Sequence, residues 1–209
     1  MPLPLPSPAR RALLLAAPAL LIRPAAAQLI ATPAQVEGPY YPRAIPEDAD
    51  ADLLHVAGQG RAARGQPLLL EGVVRSTDGT PVPGARVEIW QADHAGIYLH
   101  PADSRLAERD PGFQGFGRAV ADGGGRYAFR TIRPGLYPGR TAHIHLRART
   151  VDGAALTTQV YFPDVPLNDR DGLLRRMAAP QRALLMASLT PVDAGQRAVF
   201  DIVLGQARG

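Results

Sequence analysis

The sequence predicts an all-β protein: an antiparallel β-sandwich with an N-terminal arm and short helices near its C-terminal third. Three observations point there. Short apolar or alternating runs recur along the chain, Asp-Gly and Gly-rich turns separate them, and Gly and Pro number 21 each among 209 residues. Period-two runs bounded by such turns are the pattern of half-buried strands joined by hairpins, and abundant Gly and Pro work against long helices.

Residues 1–27 read as a secretory signal peptide. Arg10-Arg11 precedes an apolar run from Ala12 to Ile22, and Ala25-Ala26-Ala27 forms a small-residue exit. An eleven-residue run covers only about half a bilayer as a helix, so no permanent membrane span is expected. The paired arginines favour twin-arginine export over the Sec route, which predicts a periplasmic protein. Residues 28–65 carry few strand signals and are expected to form an arm over the core. Residues 66–209 then form the sandwich domain. Its expected strands are Leu68–Val74, Arg86–Trp90, Arg126–Ile132, Ala142–Ala148, Leu156–Phe162 and Ala198–Leu204. Helical signal is confined to Asn168–Met177, with an Asn/Asp start, and Pro180–Ser188, with Pro at its start.

Composition removes several function classes. With no cysteine there is no disulfide scaffold, thiolate zinc site, cysteine nucleophile or iron–sulfur cluster, so any metal is held by nitrogen and oxygen. The formal charge of +4 falls to +1 without residues 1–27, and no Arg stripe with interleaved aromatics appears, which argues against nucleic-acid binding. Asp48-Ala49-Asp50-Ala51-Asp52 has the opening spacing of a calcium loop, but Leu53 and Gln59 stand where an EF-hand needs Gly and Glu. The glycines at 112, 115 and 117 lack the Gly-Lys-Ser/Thr ending of a phosphate loop.

Chemistry-bearing residues concentrate around His143-Ile144-His145. Side chains two apart on a strand share a face, with Cα atoms about 6–7 Å apart, and can converge on one ion. The same alternation also suits polar residues on a solvated face, with Ile144 and Leu146 turned to the core. Tyr137 lies in the rigid turn Pro134–Gly139 just before this strand, and Tyr98 follows Gly96-Ile97 after the strand that ends at Trp90. Each tyrosine alone is more often an interfacial core residue than a ligand. Together, two phenolates and two imidazoles with no thiolate favour a hard Fe(III) ion. The Fe(II) facial triad would need a carboxylate beside its histidines, and a phenol ionises near neutral pH only beside a strong positive charge.

Several runs, taken in order, resemble the intradiol ring-cleavage dioxygenases. They are Glu37-Gly38-Pro39-Tyr40-Tyr41-Pro42, the stretch Gly84–Asp93 followed by Gly96-Ile97-Tyr98-Leu99-His100, the stretch Phe129–His145, and Leu156–Phe162. The likeness covers about residues 33–205. It implies a non-haem Fe(III) enzyme that cleaves a catechol between its hydroxyl-bearing carbons with O2, giving a muconate-type diacid. By motif, Tyr98 and His143 match equatorial ligands and Tyr137 and His145 axial ones. Tyr137 matches the ligand that leaves the metal as substrate binds and accepts a substrate proton. Arg140 matches the family's active-site arginine, Gln159 the glutamine beside it, and Gly38, Pro39 and Tyr40 the segment lining the substrate pocket. Only six positions separate Tyr137 from His143, where many relatives carry a long insertion, which implies a more open pocket.

The partners implied are a small aromatic diol and O2, while monomer and homo-oligomer both stay open. A different class also fits part of the sequence. Gly72–Gly79, Pro81–Ala85 and Gly125–Phe129 resemble non-catalytic transthyretin-like binding modules. That reading explains the strands but not the tyrosines, the histidine pair or Gln159. A zinc hydrolase built on the same histidines would lack a well-placed carboxylate.

Overall fold

The computed structural model describes residues 28–205; the expected signal peptide lies outside them. Among the described residues nine strands form two sheets: β1 (Pro67–Ser76), β2 (Arg86–Trp90), β3 (Phe116–Val120), β4 (Arg126–Ile132), β5 (His143–Arg149), β6 (Ala155–Tyr161), β7 (Ser188–Val192), β8 (Gly195–Val199) and β9 (Ile202–Leu204). The first sheet runs β4-β1-β8-β7 with β9 also on β1, and the second runs β3-β2-β5-β6. Pairing is antiparallel except where β1 lies parallel to β8 and β9. The protein is an all-β sandwich.

Between the sheets lies the main core. Leu68, Leu70 and Val74 of β1 and Phe129 of β4 meet Val87 and Ile89 of β2, Ile144, Leu146 and Ala148 of β5, and Val160 of β6. Within β1, β2 and β5 these residues lie an even number of positions apart, as burial of one strand face requires. Gln91, fully buried at the end of β2, ties the sheets together at their edge: its Nε2 donates to Ile132 O (3.0 Å) and its Oε1 accepts from Thr131 Oγ1 (2.8 Å).

The structure differs from the sequence expectation in four respects. Strand β3 holds Gly117 after a glycine-rich approach, and β7 holds Pro191 and is mostly exposed, so neither carries a strong strand pattern. The run Ala198–Leu204 is broken at Phe200-Asp201, where Asp201 Oδ1 takes the Val73 N–H (2.9 Å) in place of a backbone carbonyl. The expected helix over Asn168–Met177 is instead two 3₁₀ turns, Pro166–Arg170 and Leu174–Arg176. Asp171 between them accepts the N–H groups of Leu173 (2.9 Å) and Leu174 (3.2 Å), which starts a new turn instead of continuing the first. The second expected helix shrinks to α1 (Ala179–Ala183), and Ser188 already begins β7.

The arm has no strand of its own. It crosses from β9 (Thr32 N–H to Val203 O, 3.0 Å) to β6 (Gln35 N–H to Thr157 O, 2.9 Å), then lays Tyr40, Tyr41, Ile45 and Ala49 against Trp90, Ala92, Tyr98 and Phe116. Among the described residues, no helix is long and apolar enough to cross a membrane.

Candidate metal centre and active site

The register of the second sheet assembles one polar row. His143 faces Tyr161 across β5–β6, His145 faces Gln159, and on the other side His145 faces Trp90. Directly opposed residues share a sheet face, so these side chains all point away from the core formed by Ile144, Leu146 and Val160. This face is not solvated. His143 and His145 are 2% and 1% exposed, which excludes the solvated-face reading of the pair.

Two loops bring the tyrosines to this row. Tyr98 sits in the β2–β3 loop, whose shape is fixed by buried aspartates. Asp93 Oδ1 accepts the N–H groups of Ala95 (2.8 Å) and Ile97 (3.0 Å), its Oδ2 that of Asp110 (2.7 Å), and Asp103 Oδ2 that of Tyr98 itself (2.8 Å). Tyr137 sits in the β4–β5 loop, which packs backbone against backbone on the first. At Gly96 (φ +76°) a Cβ would lie 2.0 Å from Leu136 O, so no other residue fits.

The four donors converge. His143 Nε2 lies 3.2 Å from His145 Nε2 and 3.3 Å from Tyr137 Oη. The ring of Tyr98 is 5.5 Å from that of Tyr137 and 6.1 Å from that of His145. Donors bound at about 2.1 Å to one ion lie about 3.0–3.4 Å apart, so the spacing suits a common ion. His143 Nδ1 donates to Thr141 O (2.7 Å), which fixes the proton there and leaves the Nε2 lone pair free, a usual arrangement for a ligand histidine. Burial, reinforced by Arg140, lowers the His143 pKa to about 3; burial, His143 and Arg140 push His145 well below its ordinary value. Both imidazoles are therefore neutral and able to bind a cation. Tyr98 Oη is buried without a hydrogen-bond partner, a costly state for a hydroxyl unless something binds it. Burial, with the Tyr137 phenol beside it, pushes its pKa well up. Burial also raises that of Tyr137 against the opposing Arg140. Only a strongly positive ion would hold these phenols as phenolates, so the donor set fits a hard trivalent ion. Among the described residues no group of three His, Cys, Asp or Glu could hold a metal.

Arg140 borders the cluster. Its Nη1 is 3.4 Å from Tyr137 Oη, its Nη2 donates to Gln159 Oε1 (2.6 Å) and Tyr161 Oη (3.2 Å), and its Nε donates to Asp171 (2.8 Å). Gln159 Nε2 donates in turn to Val36 O of the arm (2.9 Å). The arm covers the donors: a Cβ on Gly38 would lie 3.2 Å from His145 Cε1, and after Pro39 the ring of Tyr40 stacks on Tyr98 at 4.3 Å and meets Tyr137 edge-on at 6.1 Å. Trp90 stacks on His145 at 4.9 Å. All nine residues singled out from the sequence thus lie together. Sequence reasoning missed Asp103, Tyr161 and Asp171; Tyr161 alone had a signal, two residues after Gln159 on the same strand face. A surface pocket of about 670 Å³ lies elsewhere, against β1, β3, β4 and β8, and is lined by no histidine.

Fold and donor set together define a β-sandwich with a candidate nitrogen–oxygen metal centre. A family model described as Dioxygenase matches residues 36–206. The protocatechuate 3,4-dioxygenase beta chain of Burkholderia cepacia is 38% identical over 167 residues, covering 74% of this chain and 71% of that one. The catechol 1,2-dioxygenase of Acinetobacter baylyi is 31% identical over 171 residues, 69% of this chain and 52% of that protein; this chain spans about half the length of such relatives. Among solved structures, the dioxygenase domain of a dioxygenase–carbohydrate-binding fusion from Streptomyces sp. SirexAA-E is 33% identical, with TM-score 0.68 over 85% of this chain and 100% of that one. The chain belongs to the intradiol ring-cleavage dioxygenase family, an enzyme family. A non-catalytic binding module would leave the buried donor cluster unexplained.

Proposed function

We propose that the protein cleaves a catechol-type ring between its two hydroxyl-bearing carbons with O2, giving a muconate-type diacid, and that Tyr98, Tyr137, His143 and His145 hold the Fe(III) this requires. The observation that carries the reading is the convergence of two neutral imidazoles and two buried phenols, with Tyr98 Oη left unpartnered. A ferric ion, when bound, supplies Lewis acidity that activates a chelated diol toward dioxygen. The chain's own residues do the rest. Tyr98 is a fixed anionic donor, held by its loop's aspartates. Tyr137 accepts a diol proton at its phenolate oxygen, a general-base role open to it because its loop is anchored beside Arg140 and not within a strand. Arg140 offsets negative charge on the ring from a preset position, with Gln159 orienting its Nη2. Gly38, Pro39 and Tyr40 wall the substrate and keep bulk water from the donors.

The test is oxygen uptake by iron-loaded protein with catechol, hydroxyquinol, protocatechuate and chlorinated catechols, with product identification. Muconate-type diacids are expected from at least one. No uptake, or cleavage beside the diol instead of within it, would overturn the proposal. We also propose export by the twin-arginine route, resting on Arg10-Arg11 and the run Ala12–Ile22. Replacing both arginines with lysine should abolish periplasmic enzyme, and undiminished export would refute that route.

A further inference from the structure

We infer that Asp171 is a positioning residue for the active-site arginine, an inference that rests on the role proposed above for Arg140. Asp171 lies between the two 3₁₀ turns, 31 residues from Arg140, and its side chain is fully buried. Both carboxylate oxygens are fully used. Oδ2 accepts Arg140 Nε (2.8 Å) and the Thr141 N–H (3.1 Å), while Oδ1 accepts the N–H groups of Leu173 and Leu174. Burial raises its pKa, but the Arg140 and backbone hydrogen bonds outweigh that and leave it below the ordinary carboxylate value. The carboxylate is therefore ionised and held rigidly by the backbone.

A guanidinium is planar, so a fixed bond at Nε and another at Nη2 set its plane and the direction of every remaining N–H. Asp171 supplies the first and Gln159 the second. Nη1 is then directed toward Tyr137 Oη. The other contacts of Arg140 (Gln159, Tyr161 and Tyr137) bear no formal charge unless a phenol ionises, so Asp171 is its only carboxylate partner among the described residues. The side chain of Arg140 is only 18% exposed. Without Asp171 it would be a buried cation with no carboxylate partner and no bond at Nε to fix its plane. The segment is latched a second time: Thr141 Oγ1 donates to Asn168 Oδ1 (2.8 Å), and Asn168 Nδ2 donates to Phe162 O (2.7 Å). This second latch holds the backbone but does not touch the guanidinium, so the Nε end of Arg140 is oriented by Asp171.

The test combines a double-mutant cycle with a readout on metal-free protein. Asp171→Asn should lower kcat about 10- to 100-fold, the scale of a small misplacement in a catalytic site, with a smaller change in KM. In an Arg140→Met background the same substitution should change kcat less than about twofold, because a residue acting through another has nothing left to act on. A purely structural residue would give equal losses in both backgrounds, and that result would overturn the inference. Asp171→Asn could also fail to fold. The metal-free wild type then decides, since the Arg140 Nε–H, assigned by its loss in Arg140→Met, should give a resolved NMR resonance protected from exchange. Rapid exchange there would refute the contact. The NMR result stands whether or not any catechol is cleaved, so failure of the proposed function and failure of this inference are read separately.

Discussion

Strands β1 and β5 follow the same two-residue alternation, one in each sheet, yet they differ in what lies over the second face. In β1 each buried residue is followed by a half-buried one, because the outer face of the first sheet meets solvent. In β5 six consecutive residues are buried, since the arm and the β2–β3 and β4–β5 loops cover the outer face of the second sheet. Alternation of apolar and polar residues therefore has two meanings here. Over the first sheet a polar residue marks water. Over the second it marks a buried polar layer in which every group needs a partner, and the unpartnered Tyr98 Oη, with the clustered Nε2 atoms of His143 and His145, is positioned to bind a ligand.

The largest effects should separate these faces. His143→Ala and His145→Ala should each lose bound iron, the visible phenolate-to-iron band and turnover, while the chain still folds. Leu70→Ala, in the core under the first sheet, should cost about 2–5 kcal/mol of stability and leave iron per folded molecule unchanged. Metal analysis, visible absorption and urea melts on the three variants check this. A histidine variant with full iron and an unaltered band would remove that residue from the ligand set.

Within the covered face, the two tyrosines should differ in turn. Tyr98→Phe should bind iron weakly, because that donor is fixed by Asp103 and nothing replaces it. Tyr137→Phe should keep more iron, with water able to take the place of its oxygen, but turn over slowly for want of the proton acceptor. Both should shift the visible band. Wild-type turnover and an unchanged spectrum in Tyr137→Phe would make that residue structural.

The comparison also explains what could be read from the sequence. Strands β1, β2, β4, β5 and β6 were legible because each has one face in a common core, and that periodicity survives whatever covers the other side. His143 and His145 were legible as a pair for the same reason, but not as buried, since burial depends on an arm a hundred residues away. Asp171 and Asp103 were illegible because they act on backbone N–H groups across loops, where no period links the partners. The helix expected over Asn168–Met177 failed through the same carboxylate: Asp171 resembles a helix-start residue, and it does cap a turn, but it interrupts the helix in doing so. Resemblance to the dioxygenases supplied the roles that spacing alone left open.

Acid should expose the buried histidines in the metal-free protein. Burial holds their folded-state pKa values below the ordinary 6.5, with His143 near 3, so between these limits the unfolded chain binds more protons. Their contribution is constant above about pH 6.5 and is lost as pH falls toward 3. Melting temperature should fall already between pH 6.5 and 5, before carboxylates titrate, and His143→Gln should flatten that slope. An equal slope in wild type and variant would show that His143 does not titrate on unfolding.

The smallest effect tests the cover itself, by comparing one ion pair on each outer face. Glu71 pairs with Arg197 on the first sheet, with side chains 27% and 46% exposed, whereas Glu88 pairs with Arg118 on the second, at 7% and 32%. Glu88 also accepts a hydrogen bond from Tyr41 Oη (3.0 Å), and Tyr41 packs edge-on against Trp90, the ring stacked on His145. Glu71→Gln should change stability by less than about 1 kcal/mol, as solvent and salt screen an exposed pair. Glu88→Gln should cost about 1–3 kcal/mol, because it weakens charge-assisted bonds in a covered layer and leaves Arg118 without its carboxylate. Only the second variant should disturb the arm, seen as faster proteolysis between Tyr40 and Asp50. Urea midpoints measured at two salt concentrations separate the cases: the Glu71 effect should shrink with salt, and the Glu88 effect should persist. Equal, equally salt-sensitive losses would mean that the arm does not shield this face, and the contrast between the two sheets would then lie in their residues alone.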